Sequence, residues 1–239
     1  MTSSQKKSTK DKLNKMRRIA IFVEGQTEQI FLSKLVKELL GQKNVTVVEQ
    51  SCGTKVALTN DALKFFVLVY DCRGDVAVKS QILKHRRSLL ESGYQHIIGL
   101  RDVYPQKISD IPQLKQHLGY MLPQADLPAQ IFLAIMEVES WFIQEHTHFK
   151  SNTGIEYRTE DFIRIIGLNP AEVSTETINH PYDSLVALYN HAAQAHDKSK
   201  ATSEKLSKSL DYSKLCYEDT KMNGSLNDFV DALCAALGI

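Results

Sequence analysis

The sequence predicts an α/β fold: a mainly parallel sheet flanked by helices, with a helical extension from about residue 141. Two observations carry this expectation. Short apolar runs alternate with stretches of helical periodicity, which implies crossover connections and parallel strands. Those runs are apolar almost throughout rather than alternating, the pattern of strands covered on both faces.

Each element follows in order. "RIAIFV" (18–23) is a short buried strand. "TEQIFLSKLVKELLG" (27–41) sets Phe31, Leu35 and Leu39 on one helical stripe, with Leu32, Val36 and Leu40 beside it. Thr27 fits its N-cap and Gly41 its C-terminal stop. "NVTVVEQ" (44–50) and "FFVLVYD" (65–71) are the second and third strands, and "AVKSQILKHRRSLLESG" (77–93) is a helix ended by Gly93. "HIIGLRD" (96–102) is the fourth strand and "QIFLAIMEVE" (130–139) the fifth. Beyond Trp141, itself expected in the core at the sheet's edge, the chain turns helical and more polar. "TEDFIRIIGLNP", "DSLVALYNHAAQAH" and "SLNDFVDALCAALGI" read as helices, and "HDKSKATSEKLSKSLDYSKL" between them is rich in Lys and Ser. No repeat or linker divides residues 17–239, which read as one domain. Residues 1–16 lack hydrophobic periodicity and read as a flexible basic tail.

Composition narrows the function classes. The formal net charge of +1 leaves no bulk field to draw the protein onto a polyanion, so nucleic acid would need a local basic patch. Four cysteines without CxxC spacing suggest neither a disulfide framework nor a zinc site, and fit a reducing cytoplasm. The N-terminus has no apolar core of a secretory signal. The longest apolar-rich run, 131–143, is too short to span a bilayer, so a soluble protein without a membrane partner is expected.

In open parallel sheets, ligands sit beyond the carboxyl ends of the strands. Those ends carry Glu24 after strand one, Asp71 after strand three, Asp102 after strand four, and Glu137 and Glu139 at the end of strand five. Glu49, near the end of strand two, is a weaker candidate. With 28 acids in the chain, four hits in five strand ends arise by chance on the order of one time in a hundred, before discounting the enrichment of Asp in turns. Gathered carboxylates repel one another and raise each other's pKa, and a hard divalent cation relieves that repulsion. Each acid also has a plainer role. Glu28 suits a first helical turn by the helix dipole alone. Asp71, in "YDCRGD", suits a turn, and Asp102, in "LRDVYP", could pair with Arg101 or start the turn before Pro105.

"IFVEGQTE", the later "IIGLRDVYP" and "AIMEVESWFI" together resemble the Toprim superfamily. They are more closely similar to a prokaryotic Toprim-like family of uncharacterised proteins related to OLD-type nucleases. "SKATSEKLSKSLDYSK" resembles that family's Lys-x-x-Ser-Glu-x-Leu stretch, so the likeness spans roughly residues 17–230. The resemblance implies a Mg²⁺- or Mn²⁺-dependent phosphoesterase or nuclease acting on nucleic acid, in bacterial nucleic-acid metabolism or defence, with an ATPase or other protein as a further partner. On that resemblance Glu24 is general acid/base or metal ligand, Asp102 a metal-binding aspartate, and Glu139 the glutamate of Glu-x-Trp. Glu137 or Asp71 would complete the metal site. One departure stands out: standard Toprim domains carry Asp-x-Asp, and here Tyr104 occupies the second position. It favours a rival reading, a catalytically inactive module that binds nucleotide, nucleic acid or a partner protein.

Other constellations are weighed against plainer roles. Lys55 in "SCGTK", Arg101 and Glu28 are candidate substrate contacts, although "SCGTK" lacks the P-loop pattern. His146 and His148 in "QEHTHF" read as surface histidines that share no metal. "KHRR" (84–87) reads as a solvated helix face, which could join Arg101, Lys198, Lys200 and Lys205 in a groove for a nucleic-acid backbone.

Overall fold

A computed structural model describes residues 16–52, 63–74 and 77–239. Residues 1–15 of the basic tail, and Lys55, lie outside the described residues. Five strands form one sheet: β1 (Arg17–Val23), β2 (Val45–Ser51), β3 (Phe65–Asp71), β4 (His96–Asp102) and β5 (Ala129–Ala134). All pairings are parallel, in the order β2-β3-β1-β4-β5. The α/β expectation is therefore met, with a wholly parallel sheet.

Alternation along β1 explains why its run is apolar throughout. Ile19, Ile21 and Val23 enter a large core with Phe31, Leu35, Trp141, Leu206 and Phe229. Ala20 and Phe22 enter a smaller core with Val78, Ile82 and Leu89 on the other face. Each Ile, Val, Leu or Phe among them contributes roughly 1.5–3 kcal/mol by leaving water. Helix α1 (Gln26–Leu40) covers the first face, and α2 (Ala77–Glu91) and α3 (Ile111–Gly119) the second. The remaining helices are α4 (Glu139–Gln144), α5 (His148–Thr153), α6 (Thr159–Ile166), α7 (Pro181–His191), α8 (Lys200–Ser209), α9 (Tyr212–Tyr217) and α10 (Gly224–Leu237). Residues from all of α4–α10 belong to or pack against the large core, so sheet and helical region share one interior. Among the described residues, no helix is long and apolar enough to cross a membrane.

Connectivity points to one crevice. From β1 the chain leaves through α1 toward β2, and from β4 it leaves through α3 toward β5 on the opposite side. The carboxyl ends of β1 and β4 thus flank the topological switch point, where open α/β sheets bind ligands.

Several local expectations are corrected. The N-cap of α1 is Gly25 rather than Thr27: the Gly25 N–H donates to Glu28 Oε2 at 3.1 Å, so the glutamate closes the helix start. Helix α3 lies in a stretch to which no element is assigned from the sequence, and the Lys/Ser-rich segment forms α8 and α9, with Ser199 Oγ accepting from the Thr202 N–H. Strand β5 ends at Ala134, five residues before Glu139. Trp141 is fully buried, as expected, donating from Nε1 to Ser225 Oγ at 3.0 Å.

Candidate metal centre

The site forms where β1 and β4 run out. Because Phe22 pairs with Gly99, the last three residues of β4 extend beside Glu24. The Asp102 N–H donates to Glu24 Oε1 at 2.9 Å, and Arg101 Nε lies 3.8 Å from the same oxygen. Arg101 therefore sits against Glu24.

After β5 the chain reverses at Met136, which has a left-handed φ of 61°. Two bonds clamp this turn to the continuation of β4: Tyr104 N–H to the Met136 carbonyl at 2.7 Å, and Val138 N–H to Asp102 Oδ1 at 3.0 Å. The reversal brings Glu137, in the turn, and Glu139, which opens α4, back over the sheet end. Asp102, Glu137 and Glu139 each offer a carboxylate oxygen, and the three oxygens lie within 4.8 Å of one another. This buried acidic cluster could bind a metal ion.

The surroundings make the cluster electrostatically costly. Burial, then the neighbouring Glu28, Glu139, Glu24 and Glu137 carboxylates, raise Asp102 well above the usual range. Burial pushes Glu139 up to about 7, with Glu28 and Glu137 adding to the rise and Lys198 opposing it. Glu28 is raised by burial too. Glu139 is 2% exposed, and its Oε2 has no hydrogen-bond partner among the described residues. A desolvated carboxylate oxygen without a donor is unfavourable unless a cation or proton meets it.

Lys198 is the residue whose place sequence reasoning missed. Its Nζ lies 3.2 Å from Glu139 Oε1 and 3.8 Å from Glu137 Oε1, and 4.5 Å above the Tyr182 ring. The Tyr182 N–H donates to Glu137 Oε2 at 2.9 Å, so the start of α7 braces the same acid. Burial works to lower the Lys198 pKa, but Glu139 and Glu137 outweigh it and hold the ammonium above its ordinary value. Only the Lys-rich composition near residue 198 hinted at this; which lysine reaches the acids is a tertiary fact.

Other expected site residues separate. Asp71 Oδ1 accepts from the Arg73 N–H at 2.8 Å, the turn role foreseen for it. It lies outside the three-acid cluster, and Glu49 is exposed on β2. The basic groove does not form. Lys84 and Arg87 project from α2, on one face of the sheet, while α8 packs on α1 across the other. Lys200 pairs with Glu204 and Lys205 with Gln194. His148 is buried rather than on the surface, and burial lowers it to about 3. Its ring lies tilted against Phe149 with centroids 4.1 Å apart, because α4 ends at Gln144 and a new helix starts at His148.

Two of the quoted motifs meet in space: Thr27 Oγ1, of "EGQTE", lies 3.2 Å from Ser203 Oγ, of "SKATSEKL". Residues 23–233 match the model of the family described as Domain of unknown function (DUF4276), and the chain belongs to that family. Neither a curated protein nor a solved structure matches the chain.

Proposed function

We propose that this DUF4276-family chain is a Mg²⁺- or Mn²⁺-dependent phosphoesterase of the Toprim-like kind, acting on nucleic acid. The observation that supports it most is the convergence of Asp102, Glu137 and Glu139 at the switch point, with the Glu139 Oε2 lacking a donor among the described residues. The donor set fits a hard cation: all three ligands are carboxylate oxygens, with no thiolate or imidazole among them. Once bound, such a cation supplies Lewis-acid stabilisation of a phosphoryl oxygen and a water of lowered pKa.

The chain's own residues divide the remaining work. Asp102, Glu137 and Glu139 hold the cation. Glu24, anchored by the Asp102 N–H and by Arg101, moves the proton as general acid/base. Arg101 fixes the Glu24 carboxylate, and Glu28 holds the turn that carries it.

A second reading is favoured by one residue. Tyr104, 42% exposed and set edge-on to His180, stands where standard Toprim domains, which the sequence resembles, carry a second aspartate. With a ligand fewer, the same crevice would serve a module that binds nucleotide, nucleic acid or a partner protein without turnover.

Incubation with DNA and RNA oligonucleotides, with Mg²⁺ or Mn²⁺, separates the two. Metal-dependent cleavage should fall by about a hundredfold or more in Glu24→Gln, the usual weight of a general acid/base. Cleavage unchanged in the variant overturns the role of Glu24, and no cleavage with either metal favours the binding module.

A further inference from the structure

We infer that Lys198 is a tethered cation that occupies part of the acidic centre and must be displaced by the divalent metal. The inference rests on the metal reading proposed above. Its grounds are geometric. The Lys198 ammonium contacts both Glu137 and Glu139, two of the three clustered acids, at 3.8 and 3.2 Å. A cation that close to two ligands cannot share them with a divalent metal without strong repulsion. At the same time one ligand oxygen, Glu139 Oε2, has no hydrogen-bond donor among the described residues, so the ammonium satisfies the centre only in part.

The side chain, rather than its backbone, is the moving part. Asp197 Oδ1 accepts from the Ser199 N–H, Ser199 caps α8, and Lys205 binds Gln194 on the same loop. His196 stacks flat on Tyr189 with ring centroids 4.5 Å apart. The loop is thus held on both sides of residue 198, while the lysine side chain itself is 49% exposed. Tyr182 supplies the second resting place: its ring already lies 4.5 Å beneath the ammonium and holds it at the site mouth when the acids turn to a metal. There the released charge faces whatever anion the metal binds. Lys198 is therefore a positioning residue that sets how readily the centre is loaded and offsets part of its negative charge until then.

Calorimetric titration of Mg²⁺ and Mn²⁺ into full-length protein at pH 8.5 tests this. Lys198→Met should bind the metal at least about tenfold more tightly than wild type, while Lys198→Arg, which keeps the charge, should not. A variant that binds when wild type does not supports the inference as well. Equal affinity in Lys198→Met and wild type overturns it and leaves the metal reading intact, and so does weaker binding in Lys198→Met. Absence of binding in all three proteins overturns both. A second readout needs no variant: acetylation of Lys198 by an amine-reactive ester, followed by mass spectrometry, should accelerate when Mg²⁺ is added, relative to Lys200. An unchanged or slower rate contradicts displacement.

Discussion

At the residue scale, the acidic centre costs the folded protein stability in the absence of a cation. A carboxyl moved from 4.5 to about 7 costs the folded state on the order of 3 kcal/mol once it is ionised. The sign follows from proton binding. Between those two values the folded state holds the Glu139 proton and the unfolded state does not, so rising pH removes stability. His148, lowered to about 3, and His196, lowered to about 4, act in the opposite sense, losing stability as pH falls below their ordinary value of 6.5. Comparison with Glu139→Gln isolates the acid from both. In metal-free buffer, the melting temperature of the variant relative to wild type should rise as pH goes from 5 to 8, by an amount worth about 1–3 kcal/mol. A difference that is flat with pH, or that shrinks, contradicts the burial argument.

At the scale of elements, β4 carries both Asp102 and Gly99, a glycine with no room for a side chain. A Cβ on Gly99 would meet Ile131 Cγ1 at 2.8 Å and Ile82 and Val78 at 3.2 Å. Gly99→Ala should therefore lose about 1–3 kcal/mol by overpacking between α2 and β5, read as a lower denaturation midpoint at unchanged slope. An unchanged midpoint would show that Ile131 gives way freely. The same element shows what a sequence reveals. Glu24 and Asp102 were legible because a strand's end follows from where its apolar run ends, and parallel topology brings such ends together. Glu137 and Glu139 were picked out but set on a strand, because "QIFLAIMEVE" is apolar on either side of the left-handed Met136 and nothing local announces the reversal. Lys198 and the inward turn at His148 were not legible: both depend on helices folding back over the sheet from far along the chain.

At the scale of the molecule, sheet and helical region have one core and meet at Trp141. Its ring packs against Phe31 of α1 and Phe229 of α10, and Arg17 at the start of β1 donates to the Ala236 carbonyl near the chain's end. Unfolding should accordingly be a single event. Far-UV circular dichroism and the fluorescence of Trp141, the single tryptophan, should report one midpoint in urea. Two separated midpoints would mean that the helical region folds independently of the sheet, and that Lys198 reaches the acids through a docked rather than a shared structure.

The central claim is that Asp102, Glu137 and Glu139 hold a divalent cation, and the loss of the free Mn²⁺ electron-paramagnetic signal on titration with protein measures it directly. Wild type should remove one Mn²⁺ per chain, with Asp102→Asn, which retains an acceptor for the Val138 N–H, binding at least about tenfold more weakly. No Mn²⁺ bound by either wild type or Lys198→Met, or equal binding by Asp102→Asn and wild type, would contradict the account.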